Sequence, residues 1–142
     1  MADLLDASVW LPLAAPDHVH HARARRYWEE EADDRVVFCR VTALALVRLL
    51  SNPRVLGPAA LSGAAAWQAF EQWMALPETA LLPEPPGVDE ALAAWSAELP
   101  LRGGDWTDAY LAAFAHAANC RLVAFDGDFH RYRGVRFLHL TA

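Results

Sequence analysis

Short apolar runs, each halted by aspartate, constrain this chain more than any other feature. Arg121 leads into Leu122-Val123-Ala124-Phe125, which has no polar position and so suits a strand covered on both faces. It stops at Asp126-Gly127-Asp128. At the other end of the chain Leu4-Leu5 runs into Asp6, and Ser8 follows. Asp105, Trp106, Thr107 and Asp108 open a helix whose apolar face, Leu111, Phe114, Ala115 and Ala118, recurs at helical spacing. In open α/β sheets, sites form outside the carboxyl ends of strands, so these acids are expected where chemistry would occur.

At 142 residues the chain is expected to form a single domain, 1–142, long enough to bury a core. Its 55% hydrophobic content excludes disorder. No apolar run approaches the roughly 18 residues of a membrane helix. Asp3 and Asp6 stand where a secretory signal would need a basic region. Cys39 and Cys120 are too few for a disulfide framework or a zinc site, and read as core thiols of a cytoplasmic protein.

All 12 basic residues are Arg, which excludes the P-loop, Schiff-base chemistry and every mechanism built on a catalytic Lys. The net charge of −6 opposes broad electrostatic binding of nucleic acid. A nucleic-acid substrate would therefore need a local Arg patch or a bridging cation.

Taken in order, residues 2–5 read as a first strand, followed by a loop or short helix broken at Pro12 and Pro16. Asp17 is expected to cap a helix over 17–32, with Arg25/Glu29 and Arg26/Glu30 as pairs on its wet face. His18, His20 and His21 sit at adjacent first-turn positions, do not converge on one ion, and read as solvated surface. Residues 35–39 form a second strand, and Thr42 caps a helix over 43–50, closed by Ser51-Asn52-Pro53. A third helix spans 59–76, with Trp67, Phe70, Trp73 and Met74 on an apolar face suited to the core or a dimer surface.

Residues 77–87, with four prolines, resemble an interdomain linker. The acidic strand ends lie on both sides of it, however, and only one sheet could unite them. The segment therefore reads as a strand over 79–82 and a loop. A helix over 88–99 and an edge strand over 135–138 complete the chain. Strands alternating with helices predict a mainly parallel sheet with right-handed crossovers and helices on both faces.

If Asp6, Asp108 and Asp126 meet at one sheet edge, the chemistry follows. Carboxylates about 4–5 Å apart repel by roughly 3–4 kcal/mol at an effective dielectric near 20. Such a group persists by sharing protons or binding a cation. All-oxygen ligands favour Mg²⁺ or Mn²⁺ over zinc. A hard dication held by carboxylates serves phosphodiester hydrolysis by activating water and neutralising developing charge. Ser8 could hydrogen-bond a carboxylate or a bound water. Each acid also has a purely structural reading: Asp105 and Asp108 as a capping box, Asp126-Gly127-Asp128 as a turn, Asp6 as a cap.

Asp6 within LLDASVWL, Asp108 within TDAYLAAFA and Asp126 within RLVAFDGDF together resemble the PIN-domain ribonucleases, specifically the toxin subunits of VapBC-type toxin–antitoxin pairs. The resemblance spans essentially the whole chain. It implies a three-layer α/β/α PIN-like domain with a mainly parallel sheet of about five strands. It also implies a Mg²⁺- or Mn²⁺-dependent endoribonuclease, a homodimer, and inhibition by a VapB-type antitoxin in a hetero-oligomer. One position departs from the family pattern. A Glu usual on the helix after the second strand, one turn before an Arg, falls here at Ala45, before Arg48, and no acid occurs between Asp34 and Glu71. Asp105 and Asp128 are the acids placed to compensate.

Phosphatases that begin hydrophobic-D-x-D, and phospho-acceptor receiver domains, share a strand-end Asp but use a Lys that this chain lacks. The rival from another class is a PIN-fold binding module that dimerises and holds antitoxin or RNA without cleaving.

Overall fold

The computed structural model describes residues 1–142. Its centre is β1 (Ala2–Leu5), flanked by β2 (Arg35–Phe38) on one side and β4 (Arg121–Ala124) on the other. With β3 (Thr79–Leu81) beyond β2 and β5 (Phe137–His139) beyond β4, the order is β3-β2-β1-β4-β5, and every pairing is parallel. The chain builds outward from β1 through β2 to β3, then returns to the opposite side of β1 to lay down β4. The carboxyl ends of β1 and β4 therefore flank the topological switch point, where open α/β sheets leave a crevice.

Successive strand side chains enter opposite cores, as the pleat requires. Leu4, Val37, Leu122 and Ala124 pack with α6 (Val88–Glu98) and α7 (Asp105–Ala117) on one face. Leu5, Val36, Phe38 and Val123 pack on the other with α1 (Ala7–Ala14), α3 (Arg40–Leu50) and α5 (Gly63–Met74). The sheet is thus sandwiched as the apolar runs require. Between α1 and α3 lies α2 (His21–Arg26), and α4 (Pro53–Leu56) follows α3. No helix is long and apolar enough to cross a membrane.

Several local expectations are corrected. Pro12 does not break the chain: α1 continues through it, because Val9, Trp10, Leu11 and Leu13 are buried together and only two helical residues follow the proline. The His21 imidazole also donates to the Pro12 carbonyl (2.7 Å), fastening the helix end. No helix spans 17–32. Residues 15–21 form turns in which His18 Nδ1 accepts from the His20 N–H (3.0 Å), and α2 starts only at His21. The three histidines are half-buried structural groups rather than solvated ones.

After α2 the chain widens into a π-helix, Tyr27–Glu31, a rare form that mostly occurs as a single turn within a helix. Arg25 pairs with Glu29 (2.6 Å), but Arg26 does not pair with Glu30; Arg23 meets Glu31 instead (2.5 Å). The helix expected over 59–76 is shorter at its start: Ser62 caps α5, its side chain accepting from the Ala65 N–H (3.1 Å). Cys39, not Thr42, caps α3, with Thr42 Oγ1 accepting from the Cys39 N–H (3.0 Å). The edge strand lies at Phe137–His139, slightly later than 135–138.

Candidate active site

Asp6 leaves β1 in extended geometry and caps α1; its Oδ2 accepts from the Ser8 N–H (3.2 Å). Asp126 does the same at the end of β4, where Oδ1 accepts from the Asp128 N–H (2.9 Å) and opens the 3₁₀ turn Gly127–Arg131. Each carboxylate thus spends one oxygen on a local cap and retains the other. The cap readings of Asp6 and Asp126 and the site reading are compatible. Ser8 Oγ accepts from the Phe125 N–H (3.2 Å), so the first turn of α1 is stitched to the end of β4, with Asp6 and Asp126 beside the stitch. Gly127 is closely packed on its side-chain face. A Cβ there would lie 3.1 Å from the His139 ring, which is itself held by the Phe125 carbonyl (3.0 Å).

The third acid arrives from the other layer. Because α7 runs antiparallel to the strands, its first turn lies at the carboxyl edge of the sheet. Asp108 there accepts no hydrogen bond from the protein, and its carboxyl is pushed up to about 6. Burial is the largest cause, followed by the charges of Asp6 and then Asp126, while Arg131 opposes the shift. Asp6, Asp108 and Asp126 therefore share one electrostatic neighbourhood with no cation paired to any of them. No three His, Cys, Asp or Glu side chains gather closely enough to enclose an ion unaided. The donor set fits a cation that keeps several waters and takes only a few carboxylates, which describes Mg²⁺ better than a closed protein cage would.

The auxiliary acids are placed differently. Asp105 does not form a capping box with Asp108: the residue before α7 is Gly104, and Asp105 turns back to accept from the Arg102 N–H (3.0 Å). It also pairs with Arg131 (3.1 Å), and these two contacts hold its carboxyl below the usual range. Arg131 in turn donates to the Tyr132 hydroxyl (3.0 Å), so the pair ties the first turn of α7 to the turn after Asp126. Asp128 is exposed. Ala45 is half-buried on α3, whose start follows the carboxyl end of β2.

A second acid on β1 escaped the sequence reading. Asp3 is wholly buried and is met by Arg121 Nε and Nη2 (both 2.9 Å), the Tyr27 hydroxyl (2.5 Å) and the Asp33 N–H (3.0 Å). Burial and then Asp3 push the Tyr27 phenol well above its ordinary range. The one available signal was the acid inside an apolar strand facing Arg121 at the start of another; strand register pairs them directly.

Comparison with known proteins agrees with this architecture. The PIN domain family model matches residues 4–135. Ribonuclease VapC41 of Mycobacterium tuberculosis is 37% identical over 138 residues, covering 93% of this chain and 94% of the relative. Among solved structures, VapBC-1 from nontypeable Haemophilus influenzae superposes with a TM-score of 0.71 at 16% identity, covering 100% of both chains. Mycobacterium tuberculosis VapC20, described as a sarcin–ricin loop cleaving toxin, gives 0.66 at 20% identity over 94% of this chain and 98% of that one. With the family model spanning the sheet from β1 to the approach to β5, and both helix layers with it, the chain belongs to the PIN-domain family.

Proposed function

We propose that this protein is a Mg²⁺- or Mn²⁺-dependent endoribonuclease of the VapC toxin type, with Asp6, Asp108 and Asp126 as its catalytic, ion-holding residues. The observation that carries this reading is the meeting of three acids at one edge of the sheet, Asp6 and Asp126 just past the ends of the adjacent strands β1 and β4 and Asp108 in the first turn of α7, with no cation paired to them; the raised Asp108 carboxyl supports it. The likeness to Ribonuclease VapC41 supports RNA as substrate. A divalent cation, when bound, would supply water activation and neutralise charge building on the phosphate. The chain's own contribution is placement. The Ser8 N–H fixes one oxygen of Asp6, the Asp128 N–H fixes one of Asp126, and Asp108 is left unbonded to adjust. Ser8 acts through the stitch to Phe125, as a positioning residue.

A VapB-type antitoxin partner and a homodimer belong to the same proposal. Leu44 on α3 and Trp67 on α5 are exposed, as are Val55 and Leu61 between them, which leaves an apolar surface for an amphipathic helix or a second copy. The two cysteines are buried and free, consistent with the cytoplasm.

The test is RNA cleavage by purified Asp6→Ala and Asp108→Ala, with thermal melts as the fold control. Cleavage should fall by at least about 10³-fold, since groups that act only in the transition state cost on that order or more. Undiminished cleavage by Asp108→Ala, or in excess chelator, would overturn the assignment. A binding module without catalysis is the second reading, favoured by Ala45 where the family pattern has Glu. RNA binding without any cut at saturating Mn²⁺ would select it.

A further inference from the structure

Six tryptophans occur in this chain, and five of them are accounted for by packing. Trp10 is buried and stacks on Phe38 (3.9 Å between ring centroids), with Trp73 edge-on and Trp28 tilted against it. Trp95 lies against Tyr132 (5.0 Å), and Trp67, though exposed, leans on Phe70 (5.1 Å). Trp106 is the exception. It is 46% exposed, has no aromatic neighbour, and belongs to neither hydrophobic core. A lone exposed apolar residue is ordinary by itself. Its address is what matters: it sits in the first turn of α7, between Asp105 and Asp108, on the rim of the carboxylate site. The approach is bare, because Gly103 and Gly104 precede it with open space where side chains would be.

One turn further along the same helix face comes Tyr110. Its hydroxyl donates to Glu84 (2.7 Å), and its ring lines a groove of about 300 Å³ with Leu81, Leu82, Phe114 and Arg40. Arg40 is exposed, and its side chain makes no ion pair or hydrogen bond in the protein. An apolar floor, the Glu84 carboxylate occupied by the Tyr110 hydroxyl, and a free guanidinium together line a pocket at the small end of the range for ligand sites.

The electrostatics say why such a surface is needed. A chain of net charge −6, with three acids at its centre, repels a polyanion before any ion is bound. Affinity for single-stranded RNA must then lean on contacts that do not depend on net charge, beside any single guanidinium a phosphate can reach, and aromatic stacking is the principal one. We propose that Trp106 is the stacking platform for a base flanking the scissile phosphate, with Tyr110 and Arg40 continuing the subsite for the adjoining nucleotide. Arg40 offers its guanidinium to that nucleotide's phosphate. Trp106 is a specificity-determining residue, outside the ion-holding set. The inference rests on the endoribonuclease reading given above.

The experiment measures both binding and turnover of Trp106→Ala, Trp106→Phe and Arg40→Gln. Binding is read by fluorescence anisotropy of labelled single-stranded RNA in chelator, where no cleavage intervenes. Cleavage of short single-stranded RNAs varied at the flanking base is read as KM and kcat in Mn²⁺. Trp106→Ala should weaken binding and raise KM roughly ten-fold, in line with the stacking cost per base, while kcat stays within about two-fold. Trp106→Phe should recover most of the loss, and the ranking of flanking bases should flatten only in Trp106→Ala. Arg40→Gln should weaken binding and reduce its salt dependence by about one phosphate contact. Unchanged binding and KM in a well-folded Trp106→Ala, when the parent protein cleaves, would overturn the subsite alone. A change in self-association or antitoxin capture with unaltered RNA binding would overturn it too, making the rim a protein contact. Failure of the parent protein to cleave any RNA would instead strike at the endoribonuclease reading.

Discussion

The two ends of β1 hold acids of opposite fate. Asp3, near the start of the strand, is completely buried and surrounded by four donated hydrogen bonds, two of them from Arg121. Asp6, at the other end, is partly exposed and receives one bond, from the Ser8 N–H. Only Leu4 and Leu5 separate them. One carboxylate is neutralised by the protein and welds β1, β4 and the π-helix together; the other is left short of donors beside two more acids. A fold that can satisfy a buried carboxylate so fully at one edge of its sheet leaves the cluster at the opposite edge uncompensated, and that asymmetry marks the candidate site.

Removing the compensation at the buried end should have the largest effect on stability. Arg121→Ala strands Asp3 without its cation and also releases the Glu31 carbonyl (2.9 Å) at the end of the π-helix. Breaking one partner of a buried pair costs about 3–5 kcal/mol, enough to unfold a marginal domain. Denaturant unfolding of Arg121→Ala beside Asp108→Asn makes the contrast direct: the first should lose stability and the second gain it. If both lose equally, the carboxyl edge is as structurally committed as the other and the distinction fails.

The gain in Asp108→Asn carries a pH signature. The folded-state carboxyl titrates near 6, against an ordinary 3.8, so the native state binds this proton more tightly than the unfolded chain does. Stability from this group is full below about pH 4, falls as pH rises toward 6, and levels off at a constant penalty above that. Discounted for partial exposure, the penalty is about 1–2 kcal/mol. In chelator, Asp108→Asn should therefore match the parent protein near pH 4 and exceed it from pH 7 upward. Added Mn²⁺ should close the gap by stabilising only the parent. A gap that does not change between pH 4 and pH 7 would mean that the asparagine acts by packing rather than charge.

These contrasts also show what a sequence reveals. The acidic edge was legible because the apolar runs of β1 and β4 each meet Asp, and Asp108 falls in the first turn of a helix whose periodicity is plain. The opposite edge was illegible. Asp3 and Arg121 lie 118 residues apart and meet only through the β1–β4 register, which no local pattern encodes. The π-helix was hidden for the same reason, since it serves Tyr27 in reaching Asp3 and has no signal of its own. Pro12 misled because burial of its neighbours outweighs the one backbone bond it forfeits. At the site itself, Asp105 was read as a cap or a supplementary ligand. Its tie to Arg131 again depends on a contact far along the chain.

That tie supplies the smallest and most discriminating effect. Arg121 and Arg131 each pair with an aspartate, but Arg121 meets a fully buried partner and Arg131 a partly exposed one. The exposed pair can contribute little to stability and is expected to act through geometry, holding the first turn of α7 against the turn that follows Asp126. Asp105→Asn and Arg131→Gln should each slow RNA cleavage several-fold with nearly unchanged melting temperature. The double variant should be no slower than either single one, because both remove the same brace. If Asp105 instead reaches the ion, Asp105→Asn alone should weaken Mn²⁺ binding in calorimetry, Arg131→Gln should not, and the two rate losses should multiply. The Asp105–Arg131 contact and the Arg102 N–H already occupy both Asp105 oxygens, Oδ1 and Oδ2, which favours the brace. Ala45→Glu separates the matter further: an added acid that tightens Mn²⁺ binding in the parent and equally in Asp105→Asn would place the missing ligand on α3 and leave Asp105 to its structural task.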